Sequence, residues 1–278
     1  MNFVFRMKDS DLYKLKLAEE AKNHHKMIEE KYQDITNISI ANSKIYTPEM
    51  CKRSETGGIK PIIQILDTDT VSALYMINSF YSNIGILNFA SFKYPGGMFL
   101  KGSSAQEEAL CHESNLYETL KFFNNTYYSA NIYKCKMNPT INSTYLDRGI
   151  YSSNIMFLRE NKNVINTAVI TVAAPNIRNA DAIILEKFNT VALSNRIKFV
   201  LDIAETENLK TLILGAFGCG VFRQNPEEVA YLFKEYLLSE KYNFTNIIFA
   251  IPDSNSKNYK AFVKVLKDSL SGIYIDNW

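Results

Sequence analysis

The sequence predicts an α/β domain with helices on both faces of a sheet. Three observations predict it. Apolar runs of strand length alternate with longer stretches of helical character from residue 62 to the C-terminus. The clearest run, Thr167–Ala174 (TAVITVAA), is continuous and β-branched, as expected of a strand covered on both faces. Two of the runs are followed by glycine clusters, Ile84–Phe89 by Pro95-Gly96-Gly97 and Thr211–Leu214 directly by Gly215–Gly220.

Residues 8–33 place Leu12, Leu15, Leu17, Ala18, Ala21 and Met27 among Lys, Glu and Asp, the pattern of an amphipathic helix. His24 and His25 fall in this charged stretch and read as solvated. Residues 37–55 are mixed and polar around Ile38, Ile40 and Ile45, and Thr56-Gly57-Gly58 is a break. We therefore expect residues 1–55 to be a helical extension packed on a main domain, 56–278, with a partner-binding helix as the other reading.

Ile62–Leu66 reads as a strand, and Asp67, Thr68 or Asp69 as the cap of a helix over 70–81. Ile84–Phe89 is the next strand, which completes a βαβ unit and favours parallel neighbours. Residues 121–148, rich in Asn, Tyr and Thr with Pro139, show little periodicity and read as a long irregular excursion. Ile150–Leu158 and Thr167–Ala174 follow as strands, then Asp181–Glu207 as one long helix or two in series. Thr211–Leu214 is a buried strand, and Asn225-Pro226 supply the N-cap and first position of a helix to about Ser239. Asn246–Ile251 is a strand closed by Pro252, and Ser256–Leu270 the last helix.

A chain of 278 residues with 46% hydrophobic and 22% charged residues can bury one sizeable core. A net charge of +2 gives no global argument for nucleic acid or an anionic membrane, so a polyanionic ligand must be met by local groups. No apolar run approaches the ~20 residues of a membrane span. The first residues, MNFVFRMKDSDLYKLK, lack a signal-peptide core. Cys51, Cys111, Cys135 and Cys219 show neither CxxC spacing nor a Cys/His array, so a reduced, cytoplasmic setting and no metal are expected.

The stretch Ile84–Leu116 carries the chemistry: a strand, a glycine turn, then Gln106, Glu107 and Glu108 at a helix start. Unpaired N–H groups of a glycine loop and a helix N-terminus suit an anion held near an acid. Ser104 with Glu107, and Ser103 with Gln106, also stand in capping-box register, so capping is the second reading. Glu108 is not explained by capping, and neighbouring helical residues project about 100° apart, so one of the two carboxylates should be central. His112 lies one turn after Glu108.

The second glycine cluster, Gly215 to Phe222 (GAFGCGVF), sits at a strand's carboxyl end, where ligands bind in open α/β sheets. Its GxxGxG pattern is neither the dinucleotide fingerprint nor, lacking a following Lys-Ser/Thr, a P-loop. A tight turn and a diphosphate cradle both fit it. By residue type alone Phe222 is a core aromatic, Asn88 a polar strand end and Asn176 a turn residue. Arg178 and Arg223 are either phosphate contacts or surface charges.

The segment resembles the signature of the bacterial-type poly(ADP-ribose) glycohydrolases, a branch of the macrodomain fold. That signature is a glycine triplet, a spacer and Gln-Glu-Glu; here it is Gly96, Gly97, Met98, seven residues, then Gln106, Glu107, Glu108. Asn88-Phe89-Ala90 before it, and Ala109-Leu110-Cys111, Ser114 and Leu116-Tyr117 after it, are also similar, and the resemblance runs from about Thr56 onward. Met98 departs from the third glycine.

The resemblance implies a three-layer α/β/α domain with a mixed, mostly parallel sheet. It implies an enzyme that hydrolyses ribose–ribose O-glycosidic bonds of poly(ADP-ribose) and releases ADP-ribose, with no cofactor. It makes Glu108 the general acid and base and Glu107 the residue that orients the distal ribose. Asn88, Gly96, Gly97, Gln106, Asn176 and Gly218-Cys219-Gly220-Val221-Phe222 would contact substrate, with Phe222 against the distal ribose. Expected partners are poly(ADP-ribose) or ADP-ribosylated proteins, with no membrane and no direct DNA binding, for a monomeric protein. Met98 keeps open a non-hydrolytic ADP-ribose reader; hydrolysis of mono-ADP-ribosyl groups is a further alternative.

Overall fold

The computed structural model describes residues 9–52, 57–239 and 241–274. The expected boundary between residues 55 and 56 lies outside them. In chain order the elements begin with α1 (Asp9–Lys31), α2 (Gln33–Ala41), β1 (Ser43–Tyr46), β2 (Ile62–Leu66), α3 (Thr70–Ile77) and β3 (Ile84–Phe89). A 3₁₀ turn (Phe99–Lys101) precedes α4 (Gln106–His112) and α5 (Leu116–Phe122). Then come a π-turn (Asn124–Tyr128), α6 (Ser129–Met137), α7 (Pro139–Thr144), β4 (Gly149–Phe157) and β5 (Ile165–Val172). The chain continues with α8 (Ala182–Ile184), a second π-turn (Leu185–Asn189), α9 (Thr190–Thr206) and β6 (Thr211–Leu214). It closes with α10 (Pro226–Leu237), β7 (Asn246–Ala250), α11 (Lys257–Leu266) and β8 (Leu270–Tyr274).

Among the described residues the sheet has eight strands in the order β1-β4-β5-β3-β6-β7-β2-β8. The pairings β1–β4 and β4–β5 are antiparallel and the rest parallel. The central strands are continuous apolar runs because both faces are covered. Along β3, Leu87 points into one core and Ile84 and Ile86 into the other. The first core is closed by α9, α10 and α11 through residues such as Ile197, Phe233 and Phe262. The second is closed by α1, α3, α4 and α5 through Ala21, Leu74, Leu110 and Leu120. These are the three layers and the mixed, mostly parallel sheet that were expected.

The differences from the sequence reading have identifiable causes. Residues 37–55 are not only polar connection. Ser43–Tyr46 forms the edge strand β1, too short for its alternation to show. The excursion over 121–148 is helical, not irregular. Its π-turn shifts the helical phase between α5 and α6, so Phe123, Tyr127, Tyr128 and Cys135 are all buried without holding one 3.6-residue period. The last helix ends at Leu266, and the residues after it add β8 beside β2. On α1 the docking face is Leu17, Ala18, Ala21, His24, His25 and Ile28, whereas Leu12 and Leu15 are exposed.

Candidate active site

A cavity of about 380 Å³ opens at the carboxyl ends of β2, β3, β6 and β7. Its walls come from Asp69–Val71, Phe89, Ala174, the Ala216–Phe222 turn and Ala250–Pro252, with Ser104–Gln106 at the start of α4. That size suits a small-molecule ligand, and the position is the one that parallel strands favour. Of the predicted site residues, Gln106, Gly218, Gly220, Val221 and Phe222 line it. Asn88, Gly96, Gly97, Glu107, Glu108, Asn176 and Cys219 do not.

The carboxylate pair sits on the first turn of α4, one and two residues past Gln106, and both side chains are buried, 3% and 5% exposed. Capping is not what holds them. The N-cap is Ala105, without a side-chain cap bond, because the helix starts one residue too late for Ser104 to serve it. Gln106 instead straddles the end of β3: its Oε1 accepts from the Phe89 N–H at 2.9 Å, and its Nε2 donates to Leu87 O at 2.9 Å and to Thr70 Oγ1 at 3.2 Å. Glu107 accepts from the Ser91 N–H at 2.7 Å and, at 3.3 Å, from Asn88 Nδ2, which also donates to Thr171 Oγ1. Glu108 accepts from the Met98 N–H at 2.8 Å.

The glycine loop makes these contacts possible. Gly97 has φ +60°, and a Cβ there would stand 2.6 Å from Glu108 Oε1 and 3.0 Å from Glu107 Oε2. Only glycine fits both the left-handed backbone and the approach. Met98 needs no such freedom: its φ is −112°, ordinary for an L-residue, and its side chain is half-exposed. Burial pushes the Glu107 carboxyl up to about 8; the Ser91 N–H opposes the rise and the Glu108 charge adds to it.

Across the cavity, the second glycine turn folds on itself through Cys219 N–H to Ala216 O (3.1 Å) and Gln224 N–H to Gly218 O (3.0 Å). Among the described residues, the N–H groups of Gly220, Val221 and Phe222 donate to no protein acceptor. They form a set of donors at the cavity wall suited to an anion. In the first loop the N–H groups are already engaged, Gly97 with Tyr94 O and Met98 with Glu108. Phe222 lines the cavity and meets the Tyr145 ring edge-on at 6.1 Å. Tyr145 stacks on Phe92 at 4.4 Å. Asn176 supports this wall: its Nδ2 donates to Tyr145 Oη at 3.3 Å and its Oδ1 accepts from the Arg178 N–H. Arg178 and Arg223 are exposed and line no part of the cavity.

Two supports escaped the sequence. Arg196, 1% exposed, donates to Asp147 Oδ1 at 2.7 Å and to the carbonyls of Ala173 and Thr144, tying the α6–α7 segment to the end of β5. The signal was an arginine on the apolar face formed by Leu193, Ile197 and Val200. Gln224, also buried, donates to Pro175 O at 2.8 Å and exchanges amide bonds with Asn189. Among the described residues no three His, Cys, Asp or Glu side chains converge to hold a metal ion. No helix there is long and apolar enough to cross a membrane.

The family description "microbial-type PARG, catalytic domain" matches residues 14–160, more than half of the chain. The match begins inside α1, upstream of the expected Thr56. A poly(ADP-ribose) glycohydrolase from Deinococcus radiodurans, solved in complex with ADP-ribose, is 30% identical, with a TM-score of 0.73 over 84% of this chain and 97% of that one. The enzyme from Thermomonospora curvata is 24% identical, with a TM-score of 0.79 over 90% of this chain and 99% of that one. The same Thermomonospora enzyme bound to the inhibitor ADP-HPD superposes with a TM-score of 0.78 at 24% identity over the same shares. No curated protein matches the chain. With a buried carboxylate pair behind a glycine turn, a second glycine turn across the cavity and these matches, the chain belongs to the microbial-type poly(ADP-ribose) glycohydrolase family and is a glycosidase.

Proposed function

We propose that this glycosidase cleaves the ribose–ribose O-glycosidic bond of poly(ADP-ribose) with Glu108 as general acid and base, releasing ADP-ribose. The observation that carries the reading is the placement of two buried carboxylates on one helical turn, both pressed against Gly97. Cleavage at an anomeric carbon passes through an oxocarbenium-like transition state. It needs an acid for the departing oxygen and a base for the incoming water. Glu108 protonates the leaving ribose oxygen, then as a carboxylate takes the proton from the attacking water. Its Oε1 is held by the Met98 N–H, which fixes the direction of the other oxygen.

Glu107 orients the distal ribose through its hydroxyls, and Asn88 supports Glu107. The N–H groups of Gly220, Val221 and Phe222 hold the diphosphate; Gly96 and Gly97 enter through the close turn that brings the Met98 N–H to Glu108. Phe222, braced by Tyr145, presses the ribose into its reactive pose, a positioning effect. Asn176 acts through Tyr145, and Cys219 through the fold of its turn, rather than on the nucleotide. The ordinary φ of Met98 supports hydrolysis over a non-hydrolytic reader, because the departure from a third glycine leaves the loop geometry intact.

The protein is expected to act as a monomer on poly(ADP-ribose) or ADP-ribosylated proteins in the cytoplasm, without direct DNA binding. The test is a calorimetric titration with ADP-ribose, followed by incubation of the same sample with poly(ADP-ribose). Binding and release of free ADP-ribose are expected. Binding without release would leave the reader, and release only from mono-ADP-ribosylated protein would identify the other hydrolase.

A further inference from the structure

Helix α1 lies outside the strand–helix alternation and contributes nothing to the cavity wall. Yet the chain's three histidines, His24 and His25 on α1 and His112 at the end of α4, meet at one seam behind the catalytic loop. Expected to be solvated, His24 and His25 instead sit in helical register with Ala21 and Ile28 and face inward. His24 Nε2 lies 2.8 Å from the Ser114 carbonyl, which assigns that nitrogen as the donor. His25 Nδ1 lies 2.8 Å from the buried Glu118 carboxylate.

The rings carry the contact onward. Phe99, 1% exposed, is met by His24 at 6.4 Å, His112 at 4.8 Å and Tyr117 at 5.3 Å; His25 stands edge-on to Tyr117 at 5.2 Å. Phe99 and Tyr117 back the glycine loop. The Phe99 N–H donates to Gly96 O at 3.1 Å, and a Cβ at Gly96 would come within 2.7 Å of the Tyr117 ring. At the loop's far end, Gly102 abuts α1 so closely that a Cβ would stand 1.9 Å from the Lys14 carbonyl oxygen. Between these anchors Met98 presents its N–H to Glu108.

We propose that α1 is a positioning element of the active site: seated by the hydrogen bond from His24 to Ser114 and by the packing on Phe99 and Gly102, it holds the loop where the Met98 N–H fixes Glu108. This rests on the reading of Glu108 as the general acid and base. A carboxylate aimed by one hydrogen bond loses that aim when the donor shifts, and a displacement of about 1 Å costs on the order of 100-fold in rate. Binding of ADP-ribose is expected to hold, because the diphosphate donors Gly220, Val221 and Phe222 belong to the second glycine turn, not to the loop that α1 seats.

The experiment uses the full chain. His24→Leu keeps the volume and removes the donor; His24→Gln returns a donor near the Nε2 position; Phe99→Leu loosens the loop from the other side. ADP-ribose release from poly(ADP-ribose) is measured at a temperature well below unfolding and normalised to ADP-ribose-binding sites counted by calorimetry, so that misfolded protein does not enter. Amide hydrogen exchange at residues 96–102 is followed in parallel. For His24→Leu and Phe99→Leu, kcat per site falls about 10-fold, the equivalent of losing one hydrogen bond. Their KM stays within twofold, and the Met98 amide exchanges faster. His24→Gln stays near the wild type. Wild-type kcat per site in His24→Leu, or a rise in KM in place of the fall in kcat, overturns the proposal. If the wild type releases no ADP-ribose, the glycohydrolase reading fails instead. The exchange measurement still decides the role of α1: an unchanged Met98 amide in His24→Leu overturns it.

Discussion

Gly97→Ala is the sharpest perturbation of the site. The added methyl meets Glu108 Oε1 at 2.6 Å and Glu107 Oε2 at 3.0 Å, both inside an ordinary carbon–oxygen contact. Neither carboxylate has room to retreat, since one is tied to the Met98 N–H and the other to Ser91 N–H and Asn88. The left-handed backbone at φ +60° adds about 1–2 kcal/mol for any residue with a Cβ. The loop and the pair therefore separate by a large fraction of an ångström, and a general acid misplaced by that much is expected to lose about 100-fold in kcat. The assay is release of ADP-ribose from poly(ADP-ribose), with the ADP-ribose dissociation constant measured alongside. The constant is expected within a few-fold of wild type, because the diphosphate donors Gly220, Val221 and Phe222 belong to the other glycine turn. Turnover within threefold of wild type would refute the contact geometry on which the mechanism rests.

Further predictions follow the same geometry. Gly218→Ala places a Cβ 2.7 Å from Ala174 Cβ at φ +75°, while Gly220→Ala meets nothing within 4 Å. The first should weaken ADP-ribose binding at least about tenfold and the second leave it within about twofold, by calorimetry. Met98→Gly keeps the N–H and an accessible φ, so kcat should stay within about twofold, whereas loss of activity would mean that the side chain acts on substrate. The Glu107 carboxyl is raised by burial to about 8, so it binds its proton more tightly folded than unfolded. The stability it contributes is full below about 4.5 and is lost as pH rises through about 8. Relative to Glu107→Gln, the wild-type Tm should therefore fall by roughly 5 °C between pH 6 and pH 9. A difference that is flat with pH would mean the carboxyl titrates in its ordinary range.

Legibility in the sequence tracked how much of the signal was local. β2, β3 and β6 begin and end at the residues expected, because Ile62–Leu66, Ile84–Phe89 and Thr211–Leu214 are apolar runs bounded by turn residues. The carboxylate pair and both glycine turns were legible because their spacing is short-range. What failed depended on distant partners. His24 and His25 read as solvated from their charged neighbours, and only the positions of Ser114 and Glu118 make them a seam. The capping register of Ser103 and Ser104 was a true local pattern that the end of β3 outcompeted, since Phe89 and Leu87 claim the Gln106 amide. The helices over 129–144 hid behind a change of phase. Cys219 and Asn176 do not line the cavity, although their neighbours Gly218, Gly220 and Ala174 do, a distinction of orientation that residue type does not encode.

The central claim is that one acid, Glu108, does the proton chemistry while the rest of the site binds and aims the sugar. Release of ADP-ribose from poly(ADP-ribose) by Glu108→Gln, per site occupied by ADP-ribose, tests it most directly. The variant keeps the shape and an acceptor for the Met98 N–H but has no proton to exchange, so turnover is expected to fall at least about 1,000-fold with binding retained. Turnover near the wild-type rate by that variant would contradict the account.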